Sequence, residues 1–162
     1  MEAPREHFLN LSLIRPWEKF DHQKIETPYI TFWVKGNVLY CKYAKDLDVT
    51  LEVAKFCVES RIFFTKGKSF TLLVDMRGIR SITKEARTYL ATIGSTLVKA
   101  GALITGSPWN KTIGNIFLAI DKPQVPTKLF TEESKALEWL DQFVGPQYAI
   151  DESVVSSSNY SG

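Results

Sequence analysis

Histidine is almost missing from this sequence. His7 and His22 are the only two, and both fall in the N-terminal segment. Neither can be matched to a cluster of acids or thiols, which removes most general-base and zinc chemistry. Cysteine is equally scarce. Cys41 lies in a strand pattern and Cys57 in a helix pattern, the placement of buried free thiols rather than of a disulfide. No CxxC or Cys/His spacing suggests a metal. No apolar run reaches the ~18 residues of a membrane span, and the opening MEAPREHFLNLSLIRPWEKF has no uninterrupted signal-type core. A cytoplasmic protein without stable membrane insertion is expected. An excess of one charge is lacking too: a net charge of +2 gives no electrostatic case for nucleic acid as partner. The glycines form neither GxGxxG nor GxxxxGK[ST]. No cofactor is expected, no catalytic constellation stands out, and a non-enzymatic protein follows as the expectation.

What the sequence does have is an ordinary globular balance, 44% hydrophobic and 23% charged residues over 162 positions, enough for one domain with a real core. Residues 1–26 read as an N-terminal arm, irregular or partly helical, with Phe8, Leu11, Ile14 and Trp17 near one helical face. Residues 27–145 read as an α/β domain. Residues 146–162 are Ser-rich and apolar-poor, which predicts a disordered tail.

Within the domain, the runs Tyr29–Val34 and Val38–Tyr43 around Gly36-Asn37 predict a hairpin. Asp46-Leu47-Asp48 offers capping oxygens for a helix from Thr50 to Thr65, whose apolar side reads Leu51, Ala54, Val58 and Ile62. Gly67, in Lys66-Gly67-Lys68, suits a left-handed end. Phe70–Val74 is a strand. A helix over Thr83–Lys99 follows, with Gly94 in its middle explained by a close helix–sheet approach and Gly101 beyond its end. Ala102–Thr105 is a short strand, and Ser107-Pro108 opens a third helix that runs to about Ile120. Val125–Phe130 is the last strand, and Thr131-Glu132-Glu133 starts the last helix. The order is α/β: a mixed five-stranded sheet, parallel in its later strands, with an N-terminal β-hairpin and four main helices.

The joint from Phe70 to Arg87, FTLLVDMRGIRSITKEAR, is where a domain of this class presents its functional surface. Arg77, Arg80, Lys84 and Arg87 gather around the start of the second helix, and Ser81 and Thr83 are hydroxyls at its threshold. Two readings are open: a site for an anionic group or acidic partner, or a solvated basic rim. Asp75, at the carboxyl end of its strand, has no second polar group to make it an acid catalyst and reads as bonding loop amides. Trp109 and Asn110, in the first turn of the third helix, complete the candidate binding face, with Trp109 a possible pocket rim. Phe56, Phe63, Phe64, Tyr89, Trp109 and Phe117 either line a cavity or are simply core. The hairpin edge Tyr29–Tyr43 leaves two roles open, pairing two subunits in a homodimer or being covered by the arm.

The run Val74-Asp75-Met76-Arg77-Gly78-Ile79 leading into a helix, together with Val125–Glu133 and Ala136-Leu137-Glu138-Trp139-Leu140, resembles the STAS domain. It is similar in particular to the bacterial sporulation anti-anti-sigma-like (SpoIIAA-like, STAS/CRAL-TRIO-like) group, over residues 28–144. The resemblance implies the STAS fold and a binding or regulatory module acting through an unknown protein partner. Its CRAL-TRIO side implies an apolar or lipid-like ligand instead. Signalling members use a Ser or Thr at the start of this helix as a phosphate switch. Aligned on Asp75 and Gly78, that position is Lys84, so the switch is not carried over. Ser81 and Thr83 are hydroxyls nearby and are read as helix caps.

Overall fold

The structure is a computed structural model, and it describes residues 24–144. The expectations for the first 23 residues and for the Ser-rich tail lie outside the described residues. Among the described residues, eight strands and four α-helices follow one another: β1 (Lys24–Glu26), β2 (Ile30–Lys35), β3 (Val38–Tyr43), β4 (Leu47–Val49), α1 (Leu51–Phe64), β5 (Phe70–Asp75), β6 (Ile79–Ile82), α2 (Lys84–Ala91), β7 (Val98–Ile104), α3 (Pro108–Ile116), β8 (Thr127–Phe130) and α4 (Glu133–Asp141). A short 3-10 turn, Ile93–Ser95, separates α2 from β7, and a π-helical turn, Phe117–Asp121, extends α3.

The main sheet has six strands in the order β1-β2-β3-β5-β7-β8. The first three are antiparallel, and β3, β5, β7 and β8 run parallel. The sixth strand is β1, three residues that had been assigned to the arm. It pairs Ile25 with Phe32 and so covers the hairpin edge. From β3 onward each crossover moves one strand in the same direction. Right-handed connections then put every connecting helix on the same face. The packing agrees: Ala54, Cys57 and Phe64 of α1, Ala86 of α2 and Ile113 of α3 share a core with Leu39, Cys41, Leu72 and Leu103. Ala136 and Leu140 of α4 pack on the opposite face against Tyr40, Leu73, Ala100, Ala102 and Ile104. Strand alternation explains the split, since successive side chains of β3, β5 and β7 point to opposite faces.

The structure corrects the sequence reading at several points. α1 is capped by Thr50, whose hydroxyl accepts from the Val53 amide, not by Asp46 or Asp48. Leu47-Asp48-Val49 is instead a strand, paired in parallel with β6 in a separate two-stranded ribbon. α2 ends at Ala91 and not at Lys99. The Thr92 hydroxyl donates to the Thr88 carbonyl (2.7 Å) and Ser95 to the Ala91 carbonyl (2.9 Å). Hydroxyls that bond back in this way, next to a glycine, weaken continuation of a helix. Leu97 then takes a left-handed φ of 61° as the chain enters β7, and Gly101 lies inside that strand rather than past a helix end. Gly94 marks no close helix–sheet contact, because an added Cβ would meet only ordinary neighbours, at 3.4 Å or more.

Gly78 is the position where a close approach is real. A Cβ there would run into the backbone carbonyls of Tyr43 and Ala44. The absence of a side chain lets the loop after β5 lie on the loop after β3, where the Gly78 carbonyl accepts from the Leu47 amide (3.0 Å).

Candidate functional site

The basic residues singled out in the sequence gather at one end of the sheet, but most are held by acids of the same chain. Arg77 grips Asp75 with Nε and Nη2 (2.9 and 2.8 Å), and its amide donates to the same carboxylate (3.0 Å). Burial alone would raise the Asp75 carboxyl; the Arg77 donors and the charge of Lys42 outweigh it and hold the group below its ordinary value. Asp75 therefore bonds a loop amide, as its position suggested. Arg80 pairs in the same two-pronged way with Asp48, and the Ser81 hydroxyl donates to that carboxylate (2.6 Å). Hydrogen bonds from Arg80 and Ser81 lower the Asp48 carboxyl to about 2. Arg87 is largely buried and donates to Asp121 (2.9 Å) at the end of the π-helical turn.

The hydroxyls and the third-helix residues are engaged as well. Thr83 caps α2 by accepting from the Ala86 amide (3.1 Å). Ser81 caps nothing and lies in β6. Asn110 is 3% exposed, and its Nδ2 donates to the Ile79 carbonyl (3.2 Å). Trp109 is 57% exposed, and its indole N–H donates to the Arg80 carbonyl (2.8 Å). These residues clamp the β4–β6 ribbon to the start of α3. Lys84 opens α2 and is exposed. The structure thus brings Arg80, Ser81, Trp109 and Asn110 together, leaves Arg77 and Lys84 on the rim, and turns Arg87 inward.

The larger feature lies beneath this rim. A cavity of about 130 Å³ sits between the sheet and helices α1 to α3. It is of the order of the ~150 Å³ void that takes up benzene in an engineered protein interior. Its walls are mainly apolar, with Val58 and Cys57 from α1, Cys41, Leu72 and Leu103 from the strands, and Ile113 from α3 among the lining residues. Of the six aromatic side chains considered for such a lining, Phe117 alone reaches it. Phe56 meets Tyr29 edge-on and Phe64 stacks on Phe32, so these two are core. Trp109 is not part of the wall, which corrects its assignment as a pocket rim. Three wall positions, Gly94, Gly101 and Gly114, contribute no side chain. Burial keeps both thiols protonated, with Cys41 pushed up to about 12 and Cys57 well above its ordinary value. Neither is a ready nucleophile.

Sequence reasoning missed the one charged side chain enclosed in this wall without an acid partner, Arg61, which is 4% exposed. A signal was present. Arg61 continues the buried stripe Ala54, Cys57, Val58, Phe64 of α1, and a charge on the apolar face of a helix calls for an explanation.

This arrangement is that of a SpoIIAA-like α/β domain. Among solved structures, the chain is similar to the crystal structure of an uncharacterized protein from the DUF3478 family with a SpoIIAA-like fold from Shewanella loihica PV-4. The two are 14% identical, the match covers 72% of this chain and 98% of that one, and the TM-score is 0.51. At that identity the likeness concerns the fold. By sequence, the chain belongs to the family described as domain of unknown function DUF7793, which matches residues 32–144. No curated protein matches the sequence. Among the described residues, no helix is long and apolar enough to cross a membrane, and no three His, Cys, Asp or Glu side chains are grouped to hold a metal.

Proposed function

We propose that this domain is a non-enzymatic binding module that carries or senses an apolar small molecule. The observation that carries this reading is the cavity under α1 to α3, a mainly apolar space between the helices and the sheet. Empty space of that size costs stability, because wall atoms forgo dispersion contacts and burial. A ligand that fills it recovers those contacts. The order of the two expectations drawn from the sequence is therefore exchanged. Protein recognition through the basic rim loses support because Arg77, Arg80 and Arg87 are each neutralised within the chain.

Native mass spectrometry of the gently purified chain, set against its denatured mass, tests the proposal. A discrete mass excess lost on denaturation is the expected result. A clean apo mass, with no uptake of added 1-decanol or indole, would sink it. One observation keeps rim recognition as a second reading: the exposed Trp109, whose indole N–H donates to the Arg80 carbonyl, an aromatic of the type enriched at protein contacts. A partner held through that rim would lose affinity on Trp109→Ala.

A further inference from the structure

Arg61 is a buried cation with no acid of its own. Its Nη2 donates to the Gly94 and Thr96 carbonyls, both at 3.0 Å. Those two bonds fasten α1 to the turn before β7. They leave Nε and Nη1 without an acceptor among the described residues. The ion pairs of the described residues also pass Arg61 by. Yet the only described side-chain polar atom both sealed off and unbonded is the Ser60 hydroxyl. The free guanidinium nitrogens therefore border open space. Arg61 and its acceptor Gly94 both belong to the cavity wall, so that space is the cavity.

A guanidinium enclosed in this way carries a desolvation cost that two carbonyl bonds through one nitrogen only partly offset. Burial pulls its pKa down from the ordinary arginine value, and no carboxylate acts to push it back. The guanidinium has five N–H donors in a planar fork suited to a carboxylate. Nearby, Tyr43 is 8% exposed, lines the same wall, and burial holds its phenol in the neutral donor form. Arg87, the other charged residue of the wall, is already paired with Asp121, and the remaining wall is mainly apolar.

We infer that the ligand of this cavity is a carboxylate-headed amphiphile whose apolar body fills the space between the sheet and α1 to α3 and whose head pairs with Arg61. This rests on the small-molecule reading above and adds the polarity and position of the head. The complementary charge is supplied by the ligand, which completes an interaction that the chain leaves half made.

The test compares decanoate with 1-decanol, below their aggregation limits, by calorimetric titration of the full chain and of Arg61→Met and Arg61→Lys. The wild type is expected to prefer decanoate by at least about 10-fold, the scale of one charge-assisted pair. In Arg61→Met that preference is expected to fall to about 2-fold or less, with 1-decanol binding retained; Arg61→Lys keeps an intermediate preference. Equal wild-type affinities, or a preference that survives Arg61→Met, would overturn the assignment of the head while leaving an apolar carrier. Binding of neither probe would overturn both. If Arg61→Met fails to fold, the wild-type ratio and Arg61→Lys still decide the question: a preference unchanged by lysine's point charge would show that the planar fork is not what reads the head.

Discussion

The two faces of the six-stranded sheet are built from the same strands, yet they are packed on different terms. Under α4, Ala100, Ala102 and Ala136 are completely enclosed and Leu140 is sealed above them. Small side chains on both sides let that helix sit close. Under α1 to α3 the residues are larger, Phe32, Leu39, Leu72 and Leu103 among them, and still a cavity remains. A shortage of apolar bulk does not explain it. The space is left beside Gly101, which supplies no side chain, where α2 stops about two turns short of Lys99, and where the chain widens into a π-helical turn. π-Turns of this kind recur at functional sites. The comparison suggests that the gap is a property of how the helices stand off the sheet, while the opposite face holds the domain together.

The largest expected effect breaks the comparison on its solid side. Ala102→Leu forces extra bulk between β7 and α4, and overpacking of this sort costs about 1–3 kcal/mol, read as a lower urea midpoint. A loss well under this would mean that the α4 face is as loose as the other. Next comes the clamp at the rim. Asn110→Ala removes the buried bond to the Ile79 carbonyl and leaves that acceptor unmet, at a cost of about 1–2 kcal/mol by the same assay.

On the open side the sign reverses. Gly101 has no strained φ, and a Cβ there would meet Thr127 at an ordinary 3.8 Å. Gly101→Ala is expected to raise stability by about 0.4–1 kcal/mol, through a less flexible unfolded chain, and to weaken 1-decanol binding. Destabilisation would show that the wall has no room.

The smallest effect is a pH dependence on the α4 side of β5. The Asp75 carboxyl is held below its unfolded value, so its contribution is present above the unfolded pKa and lost as pH falls through the folded one. The urea midpoint of the wild type should therefore drop between pH 5 and pH 2 by more than that of Asp75→Asn. Equal drops would mean that Arg77 contributes nothing to the loop. Asp48, at about 2, titrates in the same direction but lies on the surface.

Much of the fold was legible because its signals are local. Gly36-Asn37 between two strand-like runs marked the hairpin, Ser107-Pro108 marked the start of α3, and the run into Asp75 marked β5. The β4–β6 ribbon was not legible, since strands of three and four residues show no periodicity and pair across the whole of α1. The far end of α2 misled because Ile93 and Leu97 extend a helical pattern that the Thr92 and Ser95 hydroxyls and Gly94 interrupt. Arg61 escaped notice through a shift of the stripe: Leu51, Ala54, Val58 and Ile62 were taken as the inward side, whereas the buried line runs through Cys57 and Arg61. The basic rim was found, but its pairing with Asp48 and Asp121 was not, because those acids are 32 and 34 positions away from Arg80 and Arg87. A cavity leaves no mark in sequence; it is the space left between elements.

The most direct test of the account is a methyl and amide NMR titration of the chain with 1-decanol, with the shifted signals mapped onto the two faces. The account predicts saturable shifts at Val58, Leu72, Leu103 and Ile113, with Ala100, Ala102 and Ala136 unmoved. Shifts concentrated on the α4 face, or none on either, would contradict it.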